Sequence, residues 1–414
     1  MTLPKLAVTP LRPAVRSDLP TTLDVLLTIT PPPADTSVAR PPLNLALVLD
    51  RSGSMGERNK MTFAREAAVF AVCELKATDR VSVIAFDDKI EVVVANAPAS
   101  DAEAVVRKIN GIHPRGSTAL HGGWQEGARQ VQAHRQSEGV NRVLLLSDGL
   151  ANVGEARPDV IATEVHTFAA AGVSTSTLGV GDDYNENLME AVARSGDGNY
   201  YYVESPAQLP NIFRAELHGL SATAGVDVTF ALEPLAGVTV ADVLTECAKT
   251  PDGRLRLPNL IAGVPVRVVV RLNVPALSGE HDLLHFRLDW HAPKDDIRQT
   301  ADARLVLPAV PGSVWDGLAE NAEVAEQALL LVVARQKQEA ARAVEVGDVE
   351  RAKALNAGNM DLLRAAPASP MIAQTICEQE LIDDDLDAGE MTKFKKRARE
   401  QAYRRHTSKP ADKE

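Results

Sequence analysis

Asp50, Ser52 and Ser54 set one carboxylate and two hydroxyls within five positions. They follow Leu43–Leu49, an apolar run without alternation, which is the pattern of a strand covered on both faces. A second run of this kind, Arg142–Ser147, ends on Asp148 and Gly149. Between the two lies Gly116–Ser117–Thr118, a hydroxyl after a glycine, where the pattern predicts a helix that opens here and runs to about His134. Oxygen donors at the carboxyl ends of buried parallel strands stand where α/β sheets bind ligands. An all-oxygen set suits a hard divalent cation such as magnesium. Taken alone, Asp50–Ser54 fits as well an ordinary polar turn in which Asp50 or Ser52 caps the next helix.

The elements that must carry these residues follow from the periodicity. From Leu43 to about Leu217 strands alternate with helices: Met61–Leu75, Val81–Phe86, Ile90–Ala95, Asp101–Ile109, Pro158–Ala171, Val173–Gly181, Asn185–Arg194, Asn199–Val203 and Pro206–Leu217. The turn Asp87–Lys89 is too short for a crossover, so Ile90–Ala95 pairs antiparallel with its neighbour. Such alternation predicts an α/β domain, a doubly wound and mostly parallel sheet with one antiparallel edge. From about Ala222 to Val310 the period becomes two, with Pro and Gly between the runs, which predicts an antiparallel β-sandwich. Lys5–Leu11 and Thr21–Thr30 also read as strands and are the candidates to complete that sandwich, the α/β domain being inserted into it.

Beyond Val314 the pattern is helical. Ala319–Val344 and Asp348–Ala365 form a hairpin about Gly347, and Ser369–Pro370 opens a third helix. An acidic run, Glu378–Glu390, precedes a basic one, Lys393–Arg405, expected as a solvated helix or a disordered tail. Met391, Phe394, Ala398 and Ala402 recur there at three- and four-residue spacing, so the alternative is an amphipathic helix held by an acidic partner or by the adjacent acidic run. The expected organisation is N-terminal sandwich strands at 1–39, the α/β domain at 40–218, the sandwich at 219–311, a helical hairpin and third helix at 312–390, and a basic tail at 391–414.

A chain of 414 residues is too long for one core. Its net charge of −12 disfavours broad binding to nucleic acid or anionic membranes. The three cysteines, Cys73, Cys247 and Cys377, lie far apart without metal spacing, and Cys73 reads as a small core residue. With no apolar amino-terminal region and no membrane-length run, a cytoplasmic location is expected.

Asp50-x-Ser52-x-Ser54, Thr118 and Asp148–Gly149 together resemble the complete metal-ion-dependent adhesion site of von Willebrand factor type A domains, shared with integrin inserted domains. Ser147–Gly154 and Leu178–Val203 resemble the same family, over roughly Pro41–Leu217. The flanking strands and helices resemble bacterial multidomain proteins that carry this domain. The resemblance implies a Rossmann-like sheet in which Ser52 and Ser54 bind magnesium directly and Thr118 directly or through water. Asp50 and Asp148 would act directly or through water; manganese or calcium would be alternative ions. Magnesium prefers six near-octahedral oxygens and keeps waters where protein oxygens are missing. The implied function is capture of an Asp or Glu of a partner protein in place of one such water.

Two other classes compete. A magnesium-dependent hydrolase on such a sheet needs a nucleophilic aspartate with a second acid two residues on, and position 52 is Ser. None of the common nucleotide-binding, esterase or zinc-protease motifs is present, so no catalytic activity is expected. The basic run Lys393–Arg405 would support a nucleic-acid-associated adaptor.

Overall fold

The computed structural model describes residues 3–34, 40–136, 139–250, 252–292 and 298–408. Two compact units emerge: residues 40–226 form one, while 3–34, 227–291 and 298–408 form the other.

The first unit is built on a six-stranded sheet. Its order is Ile90–Pro98, Arg80–Phe86, Leu43–Asp50, Val140–Ser147, Val173–Val180 and Tyr200–Val203. All neighbours are parallel except Ile90–Pro98, which runs antiparallel along Arg80–Phe86. Leu43–Asp50 is central and every residue in it is buried, as the run without alternation requires. One face is covered by helices Lys60–Cys73 and Leu209–Ser221, whose Ala64, Ala68, Phe213 and Leu217 share a core with Leu45, Leu47 and Leu146. Cys73 lies outside this stripe and is exposed, which corrects the expectation of a core cysteine: Ala64, Ala67, Ala68, Ala71 and Val72 already fill the buried side.

The opposite face carries helix Leu120–Ala133, which lies very close to the sheet. A β-carbon on Gly127 would fall 2.4 Å from Val48 Cγ2, and one on Gly123 would fall 2.5 Å from the Phe86 ring. These two glycines lie one turn apart on one face. They set the height of the helix above the strands and, with it, the position of the loop that precedes it.

In the second unit, an antiparallel sheet orders Lys5–Pro10, Thr21–Thr30, Val266–Val274 and Thr239–Val243. The other sheet is centred on Thr223–Pro234, Gly279–His291 and Arg298–Val310. Leu23, Val25, Leu27, Val268 and Val270 of the first share one core with Phe230, Phe286, Leu288 and Leu305 of the second. Leu26 and Val269 point the other way and are covered by Val324, Ala328 and Leu331 of helix Ala322–Glu345. Thr21–Thr30 is thus buried on both faces.

Helices Val349–Ala365, Pro370–Asp387 and Met391–His406 complete the unit. The last corrects the reading of 391–414 as a tail. Phe394, Ala398 and Ala402 are fully buried, and Phe394 and Ala398 share a core with Ala340, Ala341 and Ile382. Its basic groups meet the acids of this unit: Arg397 reaches Asp385 at 2.8 Å, Arg399 reaches Glu345 at 2.8 Å and Arg404 reaches Glu378 at 2.6 Å. The opposed charge runs are two sides of one packed interface rather than two solvated segments. Residues 409–414 lie outside the described part.

Candidate metal centre

Asp50 ends the central strand and is level with Phe86 on one side, while Leu49 pairs with Leu146 on the other. Its side chain is fully buried. Oδ1 accepts the Ser52 backbone N–H at 2.7 Å, closing a tight turn, and Oδ2 accepts Ser147 Oγ at 2.5 Å. Burial pushes the Asp50 carboxyl up to about 6; the nearby Asp148 charge adds to this and the hydrogen bonds from Ser147 and Ser52 oppose it.

The hydroxyls and the second carboxylate form a contiguous cluster. Ser52 Oγ lies 3.1 Å from Ser54 Oγ, and Ser54 Oγ donates to Asp148 Oδ1 at 2.8 Å. Ser52 stands before a short 3-10 turn, Gly53–Asn59, but makes no side-chain capping bond there. The ordinary-turn alternative gives this hydroxyl a capping role that it does not take.

Thr118 sits differently from the expectation. The helix begins at Leu120, so Thr118 belongs to the loop before it and not to its first turn. That loop is held by its backbone: Thr118 N–H donates to Asn152 Oδ1 at 2.9 Å, the Thr118 carbonyl accepts Asn152 and Val153 N–H at 3.2 Å each, and Ala119 N–H donates to the Asp87 carbonyl at 2.7 Å. Gly53 N–H donates to the Gly116 carbonyl at 3.1 Å, joining this loop to the Asp50–Ser54 turn. A β-carbon on Gly149 would fall 2.9 Å from Thr118 Oγ1 and 3.8 Å from Asp50 Oδ2. Glycine at 149 therefore leaves open a space that these two oxygens share.

All five residues singled out by sequence come together at the carboxyl edge of the sheet, and Asp50, Ser52, Thr118 and Asp148 are nearly inaccessible to solvent. Among the described residues no three His, Cys, Asp or Glu side chains gather as a metal group. The donors here are instead two carboxylates and three hydroxyls around a glycine gap, a composition that fits a hard oxygen-seeking cation rather than a thiol- or imidazole-seeking one.

The surroundings add residues that sequence reading missed. Ser147 orients Asp50, Asn152 holds the Thr118 loop, and Lys60 donates to Asp148 Oδ2 at 2.6 Å from a side chain that is almost wholly buried. Ser147 and Asn152 flank Asp148 inside Ser147–Gly154, so proximity to the motif was their available signal. Lys60, ten residues beyond Asp50, had none.

Arg51 lies inside the motif but is committed elsewhere. Its Nε donates to Asp87 Oδ2 at 2.9 Å and its Nη1 to Glu91 Oε2 at 2.6 Å. Arg115 Nε meets the same Asp87 oxygen at 2.7 Å. Burial would push the Asp87 carboxyl up, but Arg115, the Lys89 N–H and Arg51 together hold it below the usual carboxylate range. Asp87 is thus a buried clamp for two arginines beside the centre, more than the turn residue expected. His121 is bound at 2.7 Å to Glu164 Oε2.

The chain is thus an α/β protein in this unit, a doubly wound sheet with hydroxyls and carboxylates at the carboxyl edge, where such sheets bind their ligands. Residues 44–215 match the model of the von Willebrand factor type A domain. Over 232 residues the chain is 31% identical to the uncharacterised protein sll0103 of Synechocystis, covering 56% of this chain and 50% of that one. Over 194 residues it is 28% identical to the uncharacterised protein YfbK of Escherichia coli, covering 47% of this chain and 34% of that one. The chain thus spans half the length of the first of these relatives and about a third of the second. A solved von Willebrand factor type A protein from Catenulispora acidiphila shares the fold with a TM-score of 0.72 at 18% identity, over 92% of this chain and 90% of that one. Among the described residues no helix is long and apolar enough to cross a membrane.

Proposed function

We propose that the chain is a metal-dependent protein-binding module in which Asp50, Ser52, Ser54, Thr118 and Asp148 hold a magnesium ion that captures an acidic residue of a partner protein. The observation that carries this reading is the convergence of side chains from three separate stretches, Asp50–Ser54, Thr118 and Asp148, about the gap at Gly149. The match of residues 44–215 to the von Willebrand factor type A domain supports it. A bound ion would supply a local positive charge and an exchangeable water position. The chain supplies the rest. Ser147 and the Ser52 backbone fix the Asp50 carboxylate, and Asn152 and Asp87 fix the loop that brings Thr118 alongside. Because the chain offers five donor side chains and magnesium takes six oxygens, a position is left for an acidic group from outside.

Manganese would substitute for magnesium, both being six-coordinate oxygen-binding ions. A binding role is favoured over hydrolysis because Ser52 stands where the second acid of a phosphohydrolase would be.

Titration calorimetry of the full chain with magnesium, against Asp148→Ala, tests the centre: binding by the wild type and its loss in the variant are expected. Equal heats for both would defeat the assignment. A partner recovered on immobilised chain with magnesium and released by chelator is then changed from Asp or Glu to Asn or Gln, one position at a time. One such change should abolish capture, whereas capture surviving all of them would mean that the metal is not the contact.

A further inference from the structure

Lys60 contributes a buried cation to the centre. Its Nζ lies 2.6 Å from Asp148 Oδ2, and the residue is only 4% exposed. The two oxygens of Asp148 are therefore in different situations. Oδ1 faces the hydroxyl cluster through Ser54, and Oδ2 faces an ammonium.

The placement of Lys60 is built into the backbone. It is the first residue of helix Lys60–Cys73, and it follows Arg58 and Asn59, at φ 47° and 60°. Two successive non-glycine residues in the left-handed region persist only where the surroundings enforce them. They end the turn that carries Ser54 and start the helix with its first side chain toward the strand ends. A β-carbon on Gly181 would lie 3.6 Å from Lys60 Cε and 3.8 Å from its Nζ, so the next strand end lines the ammonium as well.

We infer that Lys60 is a specificity-determining residue of this centre: by holding Asp148 Oδ2 it leaves Asp148 one oxygen to offer a cation, which favours magnesium over calcium. Calcium takes six to eight oxygens and commonly uses both oxygens of one carboxylate, while magnesium takes six at near-octahedral angles and binds carboxylates through one. A second effect accompanies the first. A fixed positive charge beside the ion opposes every divalent cation alike, in a site where burial weakens solvent screening. Lys60 thus lowers affinity for all such ions and lowers it most for the ion that needs Oδ2.

The inference rests on the metal reading given above, and two substitutions separate its parts. Lys60→Gln removes the charge but keeps a donor for Oδ2; Lys60→Met removes both. Calorimetric titration of the full chain with magnesium chloride and calcium chloride in turn should show tighter binding of both ions in Lys60→Gln, by about tenfold each, with their ratio unchanged. In Lys60→Met calcium should gain about tenfold more than magnesium. Cooperative thermal melting checks that the variants fold; should Lys60→Met fail, Lys60→Ala carries the same expectation. An unchanged calcium-to-magnesium ratio in the variant lacking the donor, with the wild type binding magnesium, overturns this inference alone. No binding of either ion by the wild type or any variant overturns the metal reading and this inference with it.

Discussion

Ser147 Oγ donates to Asp50 Oδ2 at 2.5 Å, tying the ends of two adjacent parallel strands by a side-chain bond just beyond the last backbone pair of their ladder. With Oδ1 held by the Ser52 N–H, the buried carboxylate has no rotational freedom left to lose when a ligand arrives. Such outer partners orient ligating groups and are often worth an order of magnitude in metal affinity. Ser147→Ala should therefore weaken magnesium binding by about tenfold. It should also cost about 1 kcal/mol of stability from the lost buried bond. Calorimetry and urea melting read the two effects separately, and unchanged affinity would show that Ser147 does not orient Asp50.

The loop bearing Thr118 depends on a close helix. Adding a β-carbon at Gly127 places it 2.4 Å from Val48 Cγ2, so helix Leu120–Ala133 must lift from the sheet or the strand must yield. Overpacking of this kind costs about 1–3 kcal/mol. Gly127→Ala should lower the urea midpoint by that measure and weaken magnesium binding although residue 127 touches no site side chain, because the lift is passed to Thr118. A variant that loses stability but binds magnesium as before would confine the glycine to packing.

Much of this centre was legible in the sequence because its elements announce themselves by burial. Leu43–Leu49 and Arg142–Ser147 are apolar without alternation, and each stops abruptly on an aspartate. Lys60 was not legible, because a lysine near a helix start reads as solvated until the left-handed pair Arg58–Asn59 is seen to turn it inward. The start of the Thr118 helix was misplaced because glycine and threonine look like a cap, whereas the segment is held by Asn152 and Asp87, both remote in sequence. The basic segment was misread for the opposite reason. Its charges dominate its composition, and although the helical spacing of Phe394, Ala398 and Ala402 is visible, nothing local says that a core receives them. Long-range pairing of Arg397 with Asp385 and Arg404 with Glu378 has no local signature.

The same helical region holds a lysine in an unfavourable place. Lys337 is buried on helix Ala322–Glu345, donates to Gln401 Oε1 at 2.7 Å, and burial pulls its ammonium down to about 8. Unfolded, it would titrate near 10.4, so between these values the unfolded chain binds the extra proton and stability rises with pH. Below pH 8 both states are protonated and the full penalty of the buried charge remains. Relative to Lys337→Met, the wild type should gain up to about 3 kcal/mol between pH 7.5 and 10.5. Parallel denaturant curves for the two across that range would refute the assignment.

The packing of helix Met391–His406 bears on the nucleic-acid reading of the basic run Lys393–Arg405. A phosphate backbone is bound by basic side chains that release counterions, and the affinity then falls steeply with salt. Here Arg397, Arg399 and Arg404 already face Asp385, Glu345 and Glu378, and binding a phosphate would require those pairs to open. It would also require the helix to leave a core in which Phe394 is fully buried. Truncating that ring should cost about 3–5 kcal/mol, so the helix is not readily released. Two outcomes follow for the folded chain. Phe394→Ala should lower its denaturation midpoint strongly, and a fluorescently labelled DNA duplex should show no anisotropy change with the wild type at low salt. A salt-dependent change with the wild type, lost when Lys393, Lys395 and Arg397 are replaced by Glu, would show instead that the segment leaves its core to bind, and that its acidic partners in the same unit are a latch rather than a permanent seat.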